Sequence, residues 1–356
     1  MIARVRAAVL LVFLMPLALL SQAPPPVSYR LSVPEPEHRW MQVEATFSGV
    51  PDGPLELRMS RSSPGRYSLH DFAKNLYDLH ATNAAGAPLT VAHPNPQEWD
   101  VSNHAGTVRV TYCVFGDRTD GTYLSVDSTH AHINMPSALM WARGFELRPI
   151  TIRFEPPAGT AWRVGTQLML GPDANTFTAP NLQYMMDSPA EFSAFSLRTF
   201  TVAGVAGSPT FRVALHHTGT DQELDEFALG VERIVGEARY IFGEYPAYEG
   251  HTYTFIADYL PWANGDGMEH RNSAILTHTS SLRTNREGLL GTVAHAALEA
   301  VGARELCLRW GSETQRLANL ERLRSQAVRY ADLCEAERQT STMAGLVVTC
   351  LGSSDQ

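Results

Sequence analysis

The feature that most constrains this chain is a two-residue rhythm of apolar and polar side chains that runs through its first half. Met41, Val43, Ala45 and Phe47 alternate with Gln42, Glu44 and Thr46. Val108, Val110, Tyr112 and Val114 alternate with Arg109, Thr111 and Cys113, and Ile152 and Phe154 repeat the pattern. Such alternation puts one strand face on a core and the other in water. Turn signals recur between the runs, at Pro51-Asp52-Gly53, Pro64-Gly65, Asp120-Gly121 and Pro157-Ala158-Gly159. A β-sandwich-like domain over residues 28–204 is the natural reading. The whole chain has 356 residues, 44% hydrophobic and 18% charged. That suffices for two cored domains or one large one, and it excludes disorder as the main state. A formal net charge of −9 argues against nucleic acid as a partner.

The rhythm changes after about Gly207. Phe211, Val213 and Leu215 give one more strand, and Thr220-Asp221-Gln222-Glu223 then reads as a capping box. Leu224, Phe227, Ala228, Val231, Ile234, Val235, Ala238 and Phe242 follow at helical spacing, stopped by Gly243 and Pro246. Tyr253, Phe255 and Ala257 alternate as a strand. A second capping box is expected at Thr284–Glu287, with Leu289, Leu290, Val293 and Ala297 on the helix behind it. A mixed α+β domain therefore begins near residue 205.

Residues 1–23 read as a secretory signal. Arg4 and Arg6 precede an apolar run from Ala7 to Leu20, which is too short for a comfortable membrane span. Export, to the periplasm or the outside, is expected, with no membrane contact beyond an uncleaved signal anchor. Export would permit disulfides among Cys113, Cys307, Cys334 and Cys350, with the pairing open.

The most informative segment for chemistry is Gly265-Asp266-Gly267-Met268-Glu269-His270, followed by a helix carrying Val293-Ala294-His295. Each part alone is weak. Their order and spacing, a strand with a Met-Glu-His turn and then a His-bearing helix, is the layout of thermolysin-like zinc aminopeptidases. The likeness extends further, through Ser63-Pro64-Gly65-Arg66-Tyr67, His70 to Asn75, Ser128 to Asn134, Asp187 to Glu191, and Tyr240 to Pro246. Over about residues 29–295 the chain resembles the glycyl aminopeptidase family, family sixty-one of the metallopeptidases.

That resemblance implies an N-terminal β-domain, a thermolysin-like catalytic domain and zinc-dependent removal of N-terminal Gly and similar residues from peptides. It makes peptides with a free N-terminus the expected partners. It implies zinc as cofactor, held by two His of a His-Glu-x-x-His helix and a further Glu, with the motif's own Glu as general base. Gly267, Met268, Glu269 and His270 become the expected substrate-binding residues, with Glu269 gripping the free ammonium group. His295 becomes the expected metal ligand.

The chain departs from the family at the next residue. After His295 it reads Ala296-Ala297-Leu298-Glu299. Ala296 stands where the general base belongs, so no catalytic residue is intact. Glu299 stands where the second ligand belongs; such a Glu is more often a solvated helix residue. The 61 residues from Ala296 to Gln356 contain no Pro, His, Phe, Ile or Lys, although the whole chain has 22 Pro. A frameshift, in the gene or in its reading, explains a break in likeness and composition at one point. A genuine replacement of the C-terminal half is the rival.

The expected architecture is therefore α+β and multidomain. It comprises a β-sandwich-like domain at 28–204, the start of a truncated thermolysin-like catalytic domain at 205–295, and an unrelated-looking tail at 296–356, helical or disordered. If the tail does not supply the helical half against which such a helix packs, Leu289, Leu290 and Val293 would lose packing partners. The expected function is a glycyl aminopeptidase relative that is hydrolytically incompetent and does not hold zinc tightly. The alternatives are an active exported zinc aminopeptidase with rearranged ligands and a non-catalytic peptide-binding module. His130-x-His132 places two imidazoles on one strand face, where a structural or surface role outweighs a metal site. His216 and His217 would face opposite sides of a strand and make a poor metal pair.

Overall fold

The computed structural model describes residues 24–204, 207–242 and 245–298. Residues 1–23, on which the expected signal falls, and residue 299 with the chain beyond it, including Cys307, Cys334 and Cys350, lie outside the described residues.

The alternating runs form strands. Trp40–Ser48 and Thr107–Phe115 pair antiparallel along their whole length, Met41 opposite Val114 and Phe47 opposite Val108. Their apolar phase is buried and their polar phase faces outward, as period-two patterning requires. They sit in a seven-stranded sheet whose order is Met169–Leu170, Thr176–Ala179, Ile150–Glu155, Val27–Ser32, Trp40–Ser48, Thr107–Phe115, Leu76–Thr82. Val27–Ser32 and Ile150–Glu155 run parallel; the other neighbours are antiparallel. Two four-stranded sheets complete the domain. One runs Trp141–Ala142, Leu55–Arg58, Glu98–Ser102, Thr90–Asn95. The other runs Arg163–Thr166, Ala190–Ser193, His130–Ile133, Leu124–Val126. One contiguous apolar core joins all three sheets, with Phe47, Leu57, Phe154 and Phe192 among its fully buried members.

The second unit is α+β. Its five-stranded sheet runs Ser196–Thr201, Thr210–His217, Thr252–Tyr259, Ser273–His278, Asp266–Glu269. The three central strands are parallel and the two edges antiparallel. Its first strand, Ser196–Thr201, lies upstream of the boundary expected near 205, because the segment Ser196–Thr201 pairs with Thr210–His217 rather than with the β-domain. Residues 253–259 are all buried, as befits a central parallel strand covered on both faces.

The long helix Asp221–Phe242 starts where the sequence put it. The Thr220 amide donates to Glu223 Oε2 (2.8 Å) and the Glu223 amide donates to Thr220 Oγ1 (3.3 Å), the two reciprocal bonds of a capping box. The segment Leu282–Leu298 is two helical pieces that meet at a kink. Ser281 Oγ accepts from the Thr284 amide (3.3 Å), and Asn285 breaks the helical geometry with φ −150 and ψ 40. Ser281 caps the short first piece, Thr284 Oγ1 donates back to the Ser281 carbonyl at 3.3 Å, and the main helix begins beyond Asn285, next to the expected start. Leu289, Leu290 and Val293 have partners that do not depend on the tail. Leu289 and Val293 are fully buried in a second core with Leu224, Phe227 and Val231 of the long helix, and Leu290 packs against that core. Gly230 lets Leu290 approach: a Cβ there would lie 2.7 Å from its Cδ1. Among the described residues no helix is long and apolar enough to cross a membrane.

Candidate functional site

The strand Asp266–Glu269 lies at the edge of the five-stranded sheet, antiparallel to Ser273–His278. Its free edge and the start of its turn are shaped by loops of the β-domain. The Arg66 guanidinium pairs with the Asp266 carboxylate, and the Gly121 amide donates to Asp266 Oδ2 (3.0 Å). The Asn264 amide donates to the Thr119 carbonyl (2.9 Å). Met268 is buried against two glycines. A Cβ on Gly65, whose φ is +75, would lie 2.5 Å from Met268 Sδ, and one on Gly121 would lie 2.9 Å from Met268 Cβ. Only glycine fits both positions, which gives the Ser63–Tyr67 and Asp120–Gly121 turns a purpose beyond turning.

The residues singled out from sequence divide into two groups. Glu269 and His295 come together: His295 Nε2 lies 3.6 Å from Glu269 Oε1, with both side chains partly exposed. Gly267 lies alongside the same helix, with Thr292 Cγ2 at 3.6 Å from where its Cβ would be. His270 turns the other way. Its side chain has no exposure, and its Nδ1 pairs with Asp187 Oδ1 at 2.9 Å. The Arg271 amide donates to Asp187 Oδ2 (3.3 Å), and the Asn272 amide donates to Gln167 Oε1 (2.8 Å). His270 thus ties the turn after the edge strand to the β-domain.

Ala296 has no exposed surface and belongs to the second core. Its methyl group cannot accept a proton. A hydrolytic zinc centre needs three protein ligands and an open position. Among the described residues this end of the helix offers the imidazole of His295 and no second imidazole; Glu299 lies outside them. The donors present here do not fit a hydrolytic zinc.

A second constellation lies deeper in the same junction, and sequence reasoning passed over it. His130 and Glu191 come from neighbouring strands of the β-domain, where Glu191 is directly opposite His132. His216 and Asp258 come from neighbouring parallel strands of the second unit, directly paired. His130, His132, Glu191 and Asp258 are fully buried, so neither imidazole of the His130-x-His132 pair is a surface group. His132 Nδ1 lies 2.6 Å from Asp258 Oδ2. In the metal-free protein, burial works against a charge on His132, but the Asp258 and Glu191 carboxylates outweigh it and raise its pKa. Burial alone would raise Asp258; His132, His130 and His216 instead hold it well below the usual carboxylate range. The expectation for His216 and His217 holds as far as their divergence: the His217 ring accepts from the Gly219 amide (3.0 Å) while His216 enters the cluster. No spacing rule links four strands of two domains. The only visible signs were the His-x-His step and the Asp187–Glu191 block.

Comparison with known proteins bears on the N-terminal half. Residues 28–194 match the family model described as the Peptidase M61 N-terminal domain. The crystal structure of an aminopeptidase N family protein from Idiomarina loihiensis superposes with a TM-score of 0.65 at 20% identity, covering 77% of this chain and 47% of that chain. At that identity the likeness is one of fold. An M1 zinc metallopeptidase from Deinococcus radiodurans gives a TM-score of 0.43 at 15% identity, covering 77% of this chain and 64% of that one. This chain spans about half the length of the Idiomarina protein. No curated protein matches it. The match over residues 28–194 supports a relationship to the metallopeptidases.

Proposed function

We propose that this chain is a relative of the glycyl aminopeptidases that recognises the free N-terminus of a peptide and does not hydrolyse it. The observation that carries this reading is Ala296. The residue after His295 presents a buried methyl group at the place where a metallopeptidase of this layout needs a carboxylate to activate water. Recognition would fall to the edge strand and Glu269. Glu269 Oε1 is buried 3.6 Å from His295 Nε2, while the side chain as a whole is partly exposed, so a ligand would reach the carboxylate from its exposed side. A ligand's ammonium group placed there would meet a carboxylate, and its extended backbone could pair along Asp266–Glu269 in the manner of an added strand. Zinc at the hydrolytic position, the known role of the family's motif, has too few donors among the described residues, and no step is derived through it. The leader-like residues 1–23 support a place outside the cytoplasm.

The test is made on the full chain. A Gly-initiated peptide should bind, its N-acetylated form should bind at least tenfold more weakly, and Glu269→Gln should lose the distinction. No zinc-dependent release of Gly should be seen. Chelator-sensitive release of Gly proportional to bound zinc would overturn the lack of hydrolysis. Equal binding of the free and acetylated peptides would overturn the recognition.

A further inference from the structure

We infer that His130, Glu191, His216 and Asp258 form a buried binding site for one zinc-like divalent metal ion that clamps the β-domain to the second unit. This site is separate from His295 and does not rest on the peptide-binding reading.

Four ligand atoms, one from each residue, lie within 4.8 Å of one another. His130 Nδ1 is 3.4 Å from Glu191 Oε1 and 3.4 Å from Asp258 Oδ1. His216 Nδ1 is 3.7 Å from Glu191 Oε1 and 3.4 Å from Asp258 Oδ1. Zinc bonds of about 2.0–2.2 Å to nitrogen and carboxylate oxygen span a tetrahedron with edges of about 3.3–3.6 Å. Three of the four nitrogen–oxygen separations, at 3.4 Å, fall at those edges, the fourth is 3.7 Å, and the two remaining edges are no longer than 4.8 Å. An octahedral magnesium site, with bonds of about 2.0–2.1 Å, would bring adjacent ligands to about 3.0 Å and would favour oxygen throughout. Two imidazoles and two carboxylates suit zinc or a neighbouring first-row transition ion.

Protons alone are poor occupants of this centre. Charge-assisted N–H···O bonds run about 2.7–2.9 Å. The separations of 3.4–3.7 Å around the centre are too long for such bonds. Glu191 Oε1, Asp258 Oδ1 and His216 Nδ1 are all buried with no hydrogen-bond partner. His130 Nδ1 has a long hydrogen bond to Glu191 Oε2 at 3.4 Å and cannot also serve Glu191 Oε1 and Asp258 Oδ1. Buried acceptors left in this way cost about 1–3 kcal/mol each, more when charged. A single divalent ion would satisfy every one of them and neutralise both carboxylates.

The surroundings support the ligand orientations. His132 Nδ1 holds the second oxygen of Asp258 at 2.6 Å, leaving Oδ1 turned to the centre. Asp127 Oδ2 lies 3.5 Å from His130 Nε2, on the side of the ring away from the other ligands, and itself accepts from Trp262 Nε1 at 3.0 Å. At that distance Asp127 is a charged neighbour of the ring and makes no hydrogen bond to Nε2. The ligands are saturated by protein and almost wholly buried, so the site is structural, with no open position for substrate. Each domain contributes one imidazole and one carboxylate. The ion would therefore bind the docked pair of domains and neither domain alone, and its binding energy would add to the docking.

The experiment uses the full chain. After dialysis against metal-free buffer, elemental analysis should find close to one equivalent of zinc per chain. His295→Ala should retain it, and Asp258→Asn should lose most of it. Because a substitution in this cluster could unfold the junction, the chelated wild-type chain is also titrated with cobalt(II). A one-to-one endpoint with the intense visible absorption of a tetrahedral cobalt centre, in a protein whose circular dichroism is unchanged, is the expected result. Failure of wild type to retain zinc, together with no saturable cobalt spectrum, would overturn the inference. So would retained metal that His295→Ala removes and Asp258→Asn does not.

Discussion

Replacing Asp187 with Ala tests the idea that the turn after the edge strand is held from the β-domain. The Asp187 carboxylate makes two bonds across the junction, to the His270 imidazole at 2.9 Å and to the Arg271 amide at 3.3 Å. The Arg271 amide belongs to an exposed residue, so water can replace its partner at little cost. His270 cannot be rescued that way, because its side chain has no exposure and its Nε2 is already without a partner. A hydrogen bond to a charged group contributes about 1.5–3 kcal/mol, and stranding a buried polar partner costs a similar amount. Asp187→Ala should therefore destabilise the chain by about 2–3 kcal/mol, and Asp187→Asn, which keeps an acceptor, by about half of that. Urea unfolding followed by both fluorescence and circular dichroism gives the measurement, and the two probes must coincide for the free energies to be meaningful. A double-mutant cycle with His270→Ala should show a coupling of at least about 1 kcal/mol. A loss below about 0.5 kcal/mol, or a coupling indistinguishable from zero, would show that Asp187 merely decorates the surface near an independently stable turn.

Three further outcomes follow from the same geometry. Gly65→Ala combines a positive φ with a Cβ 2.5 Å from Met268 Sδ, and should cost about 1–3 kcal/mol in urea unfolding while weakening peptide binding through Met268 and Glu269. Thr220→Ala removes the cap of the long helix and should cost about 1 kcal/mol, with Thr220→Ser close to wild type in the same assay. Phe227→Ala empties a fully buried site whose ring stands edge-on to Tyr259 at 5.6 Å, and should cost about 3–5 kcal/mol by thermal or urea unfolding.

The sequence made the local elements legible because each is written in a single period. The strands around Met41–Phe47 and Val108–Val114, and the helix capped by Thr220 and Glu223, follow from rules that act over a few residues. The short helical piece before the last helix was missed because Ser281 and Thr284 both offer a capping hydroxyl, and the pattern does not specify the kink at Asn285. The partners of Leu289 and Val293 were missed for a related reason. Their neighbours on the long helix are about sixty residues away in sequence, and no periodicity names them. The pairing of His270 with Asp187 and the meeting of His130, Glu191, His216 and Asp258 are longer-range still. They depend on how two domains dock, and the pattern within either domain does not encode that.

The docking itself has an unusual balance of forces. Each domain closes its own apolar core, and the contacts between them include a dense set of directed polar bonds. Arg212 donates to the Thr166 carbonyl at 2.6 Å, Ser273 donates to Gln167 Oε1 at 2.8 Å, and Asp187, Asp266 and Asp258 each hold a partner from the other side. Apolar faces in contact tolerate small slides, since burial depends on area and not on direction. Hydrogen bonds weaken steeply when their geometry is disturbed. A junction built this way fixes the edge strand Asp266–Glu269 against the β-domain with little freedom. Three of the segments that resemble the peptidase family lie in the β-domain and make these contacts. Ser63–Tyr67 seats Met268, Asp187 seats His270, and His130 to His132 seats Asp258. Those segments pack against the edge strand and its turn and against Asp258, and these contacts do not involve Ala296. Binding at Glu269 and metal at the junction are therefore expected to persist without hydrolysis.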